Sequence, residues 1–426
     1  MVHSRSPSVH FGPPIPLPVA PTVNKGTNTY ANLSYADFLP RHASENPWKG
    51  YIPVKATRFG RNAAIAVLAV GALALTACGS DNATGATPAA TPSAAAVKVT
   101  GTLTGIGSSA QGAAMDAWKT NFASANPGAT VQYSPDGSGA GRKAILDGSA
   151  QFAGSDAYLT DAELASSKTK CGTDGAINIP VYISPIAVAF NIPNVKDLKF
   201  DADTVAKIFR GQITNWNDPA IAALNAGVTL PDLKVTPVNR SDDSGTTQNF
   251  TDYLASAAPS VWTDKAAGLW PASLKGENAK GTSGVVKTVT DTPGAVTYAD
   301  DSAVSGKLGT AEIKVGSDFV KISPAAAAKA VELGKAVAGR PTGDLSIKLD
   351  RTTTDSSAYP VVLVSYHVVC TTYDKQATAD LVKAFESYVV SDAGQQAAAG
   401  SAKSAPLSKA LQDKAKAALD SIKAKA

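Results

Sequence analysis

The chain has 426 residues, 44% of them hydrophobic, and a formal charge of +4 at neutral pH. Seven of the basic residues lie in the first 77 positions, so residues 78–426 hold 32 lysines and arginines against 33 acidic residues. This near-neutral remainder has no basic run or stripe, which excludes nucleic acid as a partner, and it is long enough for two domains.

The first 96 residues predict export rather than a folded unit. Residues 1–53 are rich in proline and lack apolar periodicity. This indicates a disordered or mis-assigned leader, with translation starting near Val54; an authentic cytosolic extension is the alternative. Residues 54–77 are typical of a signal peptide, because their apolar run follows three basic residues and is shorter than the ~20 residues of a membrane span. Residues 78–96 predict a flexible tether.

The end of the signal segment contains a further motif. Residues 75–78 resemble the bacterial lipobox, in which a cysteine after small residues is lipidated and becomes the first residue of the mature protein. The resemblance implies an extracytoplasmic protein that is anchored to the outer face of the cell membrane through Cys78.

Short apolar runs alternate with helical periodicity from residue 97 onwards. The predicted strands cover residues 97–103, 130–134, 150–153, 182–191, 234–239 and 361–369. The predicted helices cover residues 111–125, 142–147, 204–209 and 377–390. Thr160 and Glu163 have the spacing of a capping box, which predicts another helix start. Such alternation is typical of α/β domains, whose ligand sites lie at the carboxyl ends of strands.

Glycine and hydroxyl residues precede three of the predicted helices, in residues 105–109, 136–141 and 243–246. Ser108 or Ser109 is expected at the N-terminus of the helix predicted at 111–125. The apolar periodicity of residues 250, 253 and 254 predicts a further helix, which Ser244 or Gly245 would open. Unpaired backbone N–H groups at a helix N-terminus attract anions, and Arg240 adds a positive charge just ahead of the third cluster. Simple helix capping is the alternative for each cluster alone. Three clusters in one chain favour an oxyanion held between domains.

Asp156 follows the predicted strand 150–153 and has no evident capping role. A carboxylate repels an anion unless the ligand carries a proton that the carboxylate can accept. Such a site favours protonated phosphate over sulfate. The buried acceptor that sulfate would leave unpaired costs on the order of 1–3 kcal/mol.

Cysteine and histidine are scarce after Cys78. Cys171 and Cys370 are expected to form a disulfide outside the cytoplasm, with two buried thiols as the alternative. His367 lies in the apolar run 361–369, which predicts a buried or edge-strand histidine rather than a ligand. No cysteine or histidine spacing indicates a metal site, and no cofactor is predicted.

With these residues the chain resembles the substrate-binding lipoprotein of bacterial ABC-type phosphate importers, particularly the actinobacterial members. The most specific parts are residues 240–250 and 154–156. The resemblance implies the two-domain type II periplasmic-binding-protein fold, an α/β fold with the ligand cleft between the domains. The first domain would combine residues 97–181 with 359–426, and the second would span residues 182–358. Both remaining cysteines would then lie in the first domain.

The resemblance also implies which residues bind phosphate. Asp156 would accept the proton of the ligand, Arg240 would be the charged donor, and Asp242 would hold Arg240 in place. The other implied ligands are hydroxyls and backbone amides: Ser109, the backbone of Ala110, Ser138, Ser244, Gly245 and Thr246.

The predicted function is high-affinity binding of inorganic phosphate and its delivery to the permease subunits of an ABC importer. A monomer would close about a hinge, without chemistry. Two alternatives stay open. The ligand would be another protonated oxyanion or a phosphate ester, or the protein would be a phosphohydrolase with Ser138 or Ser244 as nucleophile. The hydrolase lacks an evident base because His367 lies in a strand, and no enzymatic activity is predicted.

Overall fold

A computed structural model describes residues 98–426. The predicted leader, signal peptide, tether and lipidation site Cys78 lie outside the described residues. The strands are β1 (Gly101–Gly107), β2 (Ala129–Ser134), β3 (Phe152–Ser155), β4 (Ala176–Phe190), β5 (Asp197–Phe200), β6 (Thr236–Arg240), β7 (Glu277–Ala279), β8 (Ala295–Asp300), β9 (Gly309–Val315), β10 (Asp318–Val320), β11 (Lys335–Ala336), β12 (Ile347–Lys348), β13 (Val362–Cys370), β14 (Thr372–Tyr373) and β15 (Lys423–Ala424). The helices are α1 (Gly112–Ala125), α2 (Ser138–Asp147), α3 (Asp161–Cys171), α4 (Ala202–Phe209), α5 (Pro219–Leu224), α6 (Gly245–Ala257), α7 (Gly281–Asp291), α8 (Pro324–Glu332), α9 (Gln376–Val389), α10 (Asp392–Ala402) and α11 (Lys409–Asp420), with a 3-10 turn at Asp301–Ala303.

The main sheet has the strand order β2-β1-β3-β13-β4-β8-β6-β7, and β9 branches from β4 to pair with β5 and β10. Strands β1, β2 and β3 are parallel, as are β6, β7 and β8. Parallel strands need crossover connections, and α1, α2 and α7 supply them. The carboxyl ends of these strands therefore lead directly into helix N-termini.

One long strand joins two halves of this sheet. Residues 176–185 of β4 pair with β13, and residues 186–190 pair with β8. We call β1, β2, β3 and β13 with their helices the first half, and β5 to β9 with their helices the second half. All fifteen residues of β4 are buried, which explains its near-continuous apolar sequence. The predicted domain boundary between residues 181 and 182 falls within β4; the boundaries themselves stay a prediction.

An aromatic cluster fixes α6 against the second half of the sheet. The ring of Phe250 on α6 stacks on Tyr298 of β8 at 4.4 Å between centroids, and Phe209 of α4 meets Phe250 edge-on at 4.8 Å. Each such pair contributes about 0.5–1.5 kcal/mol beyond its buried area. The cluster holds the N-terminus of α6 near the carboxyl end of β6.

The strand prediction at residues 97–103 was about four residues early, because packing rather than hydrophobicity defines β1. Gly105 lies under the ring of Phe152, where a Cβ would approach within 2.2 Å. A Cβ on Gly107 would lie 1.9 Å from the carbonyl oxygen of Gly154. These two glycines let β1 and β3 pair closely, although they give the sequence no apolar pattern.

Other boundaries shifted as well, most of all in β4: the strand predicted at residues 182–191 begins at Ala176, because pairing with β13 extends it through the polar Asn178. The segment predicted as 150–153 is β3 at Phe152–Ser155, and the helix predicted from residue 142 begins at Ser138. The capping box of Thr160 and Glu163 is confirmed at the start of α3. No helix among residues 98–426 is long and apolar enough to span a membrane.

The two predictions for the scarce residues are confirmed. Cys171 at the end of α3 and Cys370 at the end of β13 form a disulfide. His367 is fully buried, and it lies on a central strand, because β13 pairs with β3 on one side and β4 on the other.

Candidate functional site

The predicted site residues lie at ends of strands and starts of helices from both halves of the sheet. Asp156 follows β3, and Ser138 is the first residue of α2. Arg240 is the last residue of β6, and Gly245 and Thr246 begin α6. All five are buried. Local strand-to-helix turns thus bring them to the junction of the two halves.

Asp156 is one of the points where the two halves meet. The Thr246 hydroxyl donates to Asp156 Oδ2 at 3.2 Å, and the Ser138 hydroxyl lies 3.5 Å from the same oxygen. The Asp156 backbone N–H donates to Ser138 Oγ at 3.1 Å. On the opposite side Ser365, in the middle of β13, donates to Asp156 Oδ1. Both carboxylate oxygens therefore act as acceptors.

The electrostatics of Asp156 combine two opposed effects. Burial raises the pKa of the Asp156 carboxyl above its usual value. The rise is opposed by hydroxyl donors and by one positive charge, namely Ser365, Ser108, Arg240 and Thr246. A buried carboxylate with this many donors can accept one more hydrogen from a ligand, but it repels a ligand that has none.

Arg240 carries the fixed positive charge that the sequence predicted. Its Nε donates to Asp242 Oδ1 at 2.8 Å and its Nη2 to Asp242 Oδ2, in a two-point pair. Although burial alone would raise it, the pair with Arg240 holds the pKa of Asp242 below its usual value. The Gly281 backbone N–H also donates to Asp242 at 3.0 Å. Asp242 thus orients the guanidinium, and the Nη1 group takes no part in the pair.

Ser109 contacts a residue that the sequence analysis missed. Its hydroxyl accepts a hydrogen bond from the Thr282 backbone N–H at 3.0 Å and lies 3.0 Å from the Thr282 hydroxyl. Thr282 is the second residue of α7, in the second half. Glycine followed by a hydroxyl residue before an amphipathic helix was the signal that marked the other clusters, and residues 281–282 have it too.

The expectation that Ser108 or Ser109 starts α1 was wrong. The N-cap is Gln111, and the two serines belong to the turn after β1. Ser108 Oγ instead accepts from the Ala110 backbone N–H at 3.1 Å. In the third cluster Ser244 is the N-cap of α6, and its hydroxyl accepts from Thr247 N–H at 3.2 Å.

A second polar network supports Asp156 from α6. Asn249 Nδ2 donates to the backbone carbonyls of Asp156 at 2.7 Å and Gly245 at 2.9 Å. Arg351 donates to Asn249 Oδ1 at 2.6 Å. A cavity of about 170 Å³ lies on this side, and Asp156 is the one predicted ligand residue that lines it. Asn249 had no sequence signal beyond its position one turn after Gly245.

Within residues 98–426, no group of three or more histidine, cysteine or acidic side chains is arranged to hold a metal ion. His367 is engaged by Glu386 and Gln111 and bonds to none of the predicted ligand serines. The arrangement offers one guanidinium, one carboxylate acceptor, and hydroxyl and amide donors at helix N-termini. These are the groups that bind a small, partly protonated oxyanion.

The fold and this site define a binding protein of the periplasmic-binding-protein class. The family described as "PBP superfamily domain" matches residues 89–393. The phosphate-binding protein PstS3 of Mycobacterium bovis is 40% identical over 347 residues, covering 78% of this chain and 90% of that protein. PstS 2 of Mycobacterium tuberculosis is 35% identical over 376 residues, covering 86% of this chain and all of that protein. The chain belongs to the family of bacterial phosphate-binding proteins of ABC importers.

The solved structure of a phosphate-binding protein from Stenotrophomonas maltophilia has the same fold. It superposes with a TM-score of 0.56 at 20% identity, covering 74% of this chain and 93% of that chain. At this identity the likeness concerns the fold alone, and it agrees with the two-half α/β architecture described above.

Proposed function

We propose that this protein binds inorganic phosphate outside the cytoplasm and delivers it to the membrane permease of an ABC importer. The observation that carries the proposal is the meeting of the α6 N-terminus with Asp156, where Thr246 of the second half donates to the carboxylate of the first at 3.2 Å. A ligand enclosed there would face a helix N-terminus, a guanidinium and a carboxylate together. The names of the mycobacterial relatives support phosphate as that ligand.

The proposed ligand set is the one that the family resemblance implies, and the contacts of Asp156, Thr246 and Arg240 support it. Asp156 accepts the proton of the phosphate, and Arg240, held by Asp242, donates from its free side. Hydroxyl and backbone groups complete the set: Ser109, Ala110, Ser138, Ser244, Gly245 and Thr246. The set draws on both proposed domains, residues 97–181 with 359–426 and residues 182–358, so binding would close the cleft between them.

The acceptor role of Asp156 would set the ligand class. Phosphate keeps a proton at neutral pH, whereas sulfate has none to donate, so a buried carboxylate admits the first and rejects the second. Arsenate is protonated much as phosphate is, and the site would not exclude it on this ground. Phosphate esters remain the second ligand candidate, because they share the protonated oxyanion.

We also propose that the site captures its ligand without chemistry. Ser138 Oγ is hydrogen-bonded to Asp156, Ser244 Oγ caps α6, and neither contacts His367. A serine nucleophile needs a base that can take its proton, and the carboxylate beside Ser138, Asp156, lies 3.5 Å away and already accepts from Thr246 and Ser365. These contacts favour binding over hydrolysis. The protein would work as a monomer that lipidated Cys78 anchors to the outer face of the cell membrane.

Calorimetric titration of the purified, ligand-free protein with phosphate and then sulfate tests the function. One-to-one phosphate binding without heat from sulfate is the expected result. Folded protein that binds neither anion would contradict phosphate as the ligand, and phosphate esters and other oxyanions would then be titrated in the same way.

A further inference from the structure

A chain of buried polar groups runs from α9 to Asp156. Glu386 Oε2 lies 2.7 Å from His367 Nδ1, and His367 Nε2 lies 3.2 Å from Gln111 Oε1. Gln111 Nε2 lies 2.7 Å from Ser365 Oγ, and Ser365 donates to Asp156 Oδ1. All five residues are buried. Polar side chains in a core are costly unless each finds a partner, so a chain of this length calls for a functional explanation.

The direction of each hydrogen bond in this chain is determined by its neighbours. Gln111 Nε2 also lies 3.3 Å from the Tyr366 carbonyl oxygen, which can only accept, so this end of the amide must be the NH2 group. Gln111 Oε1 is therefore an acceptor, and His367 Nε2 must carry a hydrogen. Ser365 Oγ accepts from Gln111 and is left to donate its own hydrogen to Asp156.

At the Glu386 end of the hydrogen-bond chain, His367 donates toward Gln111 whether Glu386 or His367 holds the proton between them. If Glu386 is ionised, His367 is doubly protonated and donates from both nitrogens. If Glu386 holds the proton, it donates to His367 Nδ1. In both cases the pair is neutral and His367 Nε2 donates to Gln111.

We propose that Glu386, His367, Gln111 and Ser365 form a directed hydrogen-bond chain that keeps Asp156 a hydrogen-bond acceptor and so sets the selectivity for protonated oxyanions. The inference rests on the proposed function of the site. These four are positioning residues, because they act on the ligand only through Asp156. The hydrogen bond that Ser365 donates to Oδ1 stabilises the ionised carboxylate over the protonated acid, so Oδ2 meets the ligand as an acceptor.

Without this hydrogen-bond chain, the Asp156 carboxyl would keep its proton up to a higher pH than it does with the chain in place. The charged and titratable groups that act on it from other elements are Arg240, Asp300 and Tyr133. Only Arg240 favours the ionised carboxylate, since the other two are acidic groups. Loss of the Ser365 donor removes the largest of the effects that oppose burial and leaves Arg240 with the hydroxyls of Ser108 and Thr246.

The test compares Ser365→Ala with Ser184→Ala, by calorimetry with phosphate and with sulfate over a pH series. Ser184 is an equally buried serine on β4 next to β13, and its hydroxyl acts on the Pro185 carbonyl and on Asp300 rather than on Asp156. We expect Ser365→Ala to bind phosphate about tenfold to a hundredfold more weakly than Ser184→Ala. The pH at which half of the phosphate binding is lost on acidification should rise. Sulfate binding, which needs a protonated Asp156, should likewise appear at a higher pH when the pH is lowered.

Two further variants separate the loss of a directed hydrogen bond from the loss of side-chain packing. Ser365→Thr restores the hydroxyl and should recover most of the affinity and the original pH profile. Gln111→Met keeps the side-chain length but removes both polar atoms, and it should shift the profile in the same direction as Ser365→Ala. If Gln111→Met fails to fold, the comparison of Ser365→Ala with Ser365→Thr decides.

An unchanged pH profile and affinity in Ser365→Ala, with phosphate binding intact in the unmodified protein, would overturn this inference and leave the proposed function standing. If Gln111→Met folds and has the same pH profile of phosphate binding as Ser184→Ala, then Gln111, His367 and Glu386 have no part in keeping Asp156 an acceptor. Failure of the unmodified protein to bind phosphate would instead refute the proposed function.

Discussion

Gly245 and Asp156 are in such close contact that the first cannot carry a side chain. A Cβ built on Gly245 would lie 2.6 Å from the Cβ of Asp156 and 2.6 Å from Ser138 Oγ. Gly245 opens α6 in the second half, whereas Asp156 and Ser138 belong to the first half. Its φ lies outside the left-handed region, so the need for glycine is steric rather than conformational. The approach of the two halves depends on this missing methyl group.

Gly245→Ala should therefore leave the fold intact and weaken phosphate binding. The added methyl group collides with the facing half only when the halves are together, and overpacking of this kind costs about 1–3 kcal/mol. Calorimetric titration measures the loss of affinity. Gly400→Ala is the matched control, because a Cβ at this position in α10 meets no atom within 4 Å. Equal phosphate affinity in the two variants would contradict the steric account.

Asp156→Asn should weaken phosphate binding and relax the discrimination against sulfate. The amide can donate a hydrogen as well as accept one, so it no longer penalises an anion without a proton. We expect a loss of about 1–3 kcal/mol for phosphate and measurable heat with sulfate. Asp301→Asn is the control, since burial also raises the pKa of Asp301 and it lies outside the proposed ligand set. Sulfate rejection that persists in Asp156→Asn would contradict the acceptor role.

Helix starts and buried strands were predictable because they leave local patterns. Ser244 caps α6 and Thr160 caps α3, and in both cases the hydroxyl residue precedes the helical periodicity directly. The two central strands, β4 and β13, are largely apolar because both faces are covered, although residues 176–181 of β4 were missed. The glycine- and hydroxyl-rich turns that we propose as the anion site could be located for the same local reason.

Contacts between distant segments could not be predicted in this way. Ser365 and Gln111 are 254 positions apart, and nothing in either local sequence indicates that they bond. Ser365 and His367 are polar residues two apart in an apolar strand, which signals one polar face but no partner. Fixing the partner requires the strand order, in which β13 inserts between β3 and β4.

Asp300 should make the protein less stable as the pH rises. Burial raises the pKa of Asp300 to about 7, despite hydrogen bonds from Ser302, against about 3.9 in an unfolded chain. Between these values the folded state holds a proton that the unfolded state has lost. The free energy of unfolding therefore falls from about pH 4 to about pH 7, by up to about 4 kcal/mol, and is level above that range.

Asp300→Asn should remove most of this slope. Urea unfolding at a series of pH values measures it, with Asp318→Asn, at an exposed site, as the control. Some slope should remain because burial also raises the pKa of Asp156. An unchanged slope in Asp300→Asn would show that Asp300 is ionised in the folded protein at neutral pH.

The disulfide between Cys171 and Cys370 should contribute much of the stability of the first half. It joins residues 199 positions apart, and closing so long a loop restricts the unfolded chain. The folded ends are already held together by hydrogen bonds from the Thr371 hydroxyl to the Cys171 and Gly175 carbonyls at 3.2 and 2.8 Å. We therefore expect the Cys171→Ser, Cys370→Ser double variant to fold but to lose about 2–5 kcal/mol in urea unfolding. Reductant should destabilise the unmodified protein by a similar amount and leave the double variant unchanged; equal stability of the two proteins without reductant would contradict this prediction.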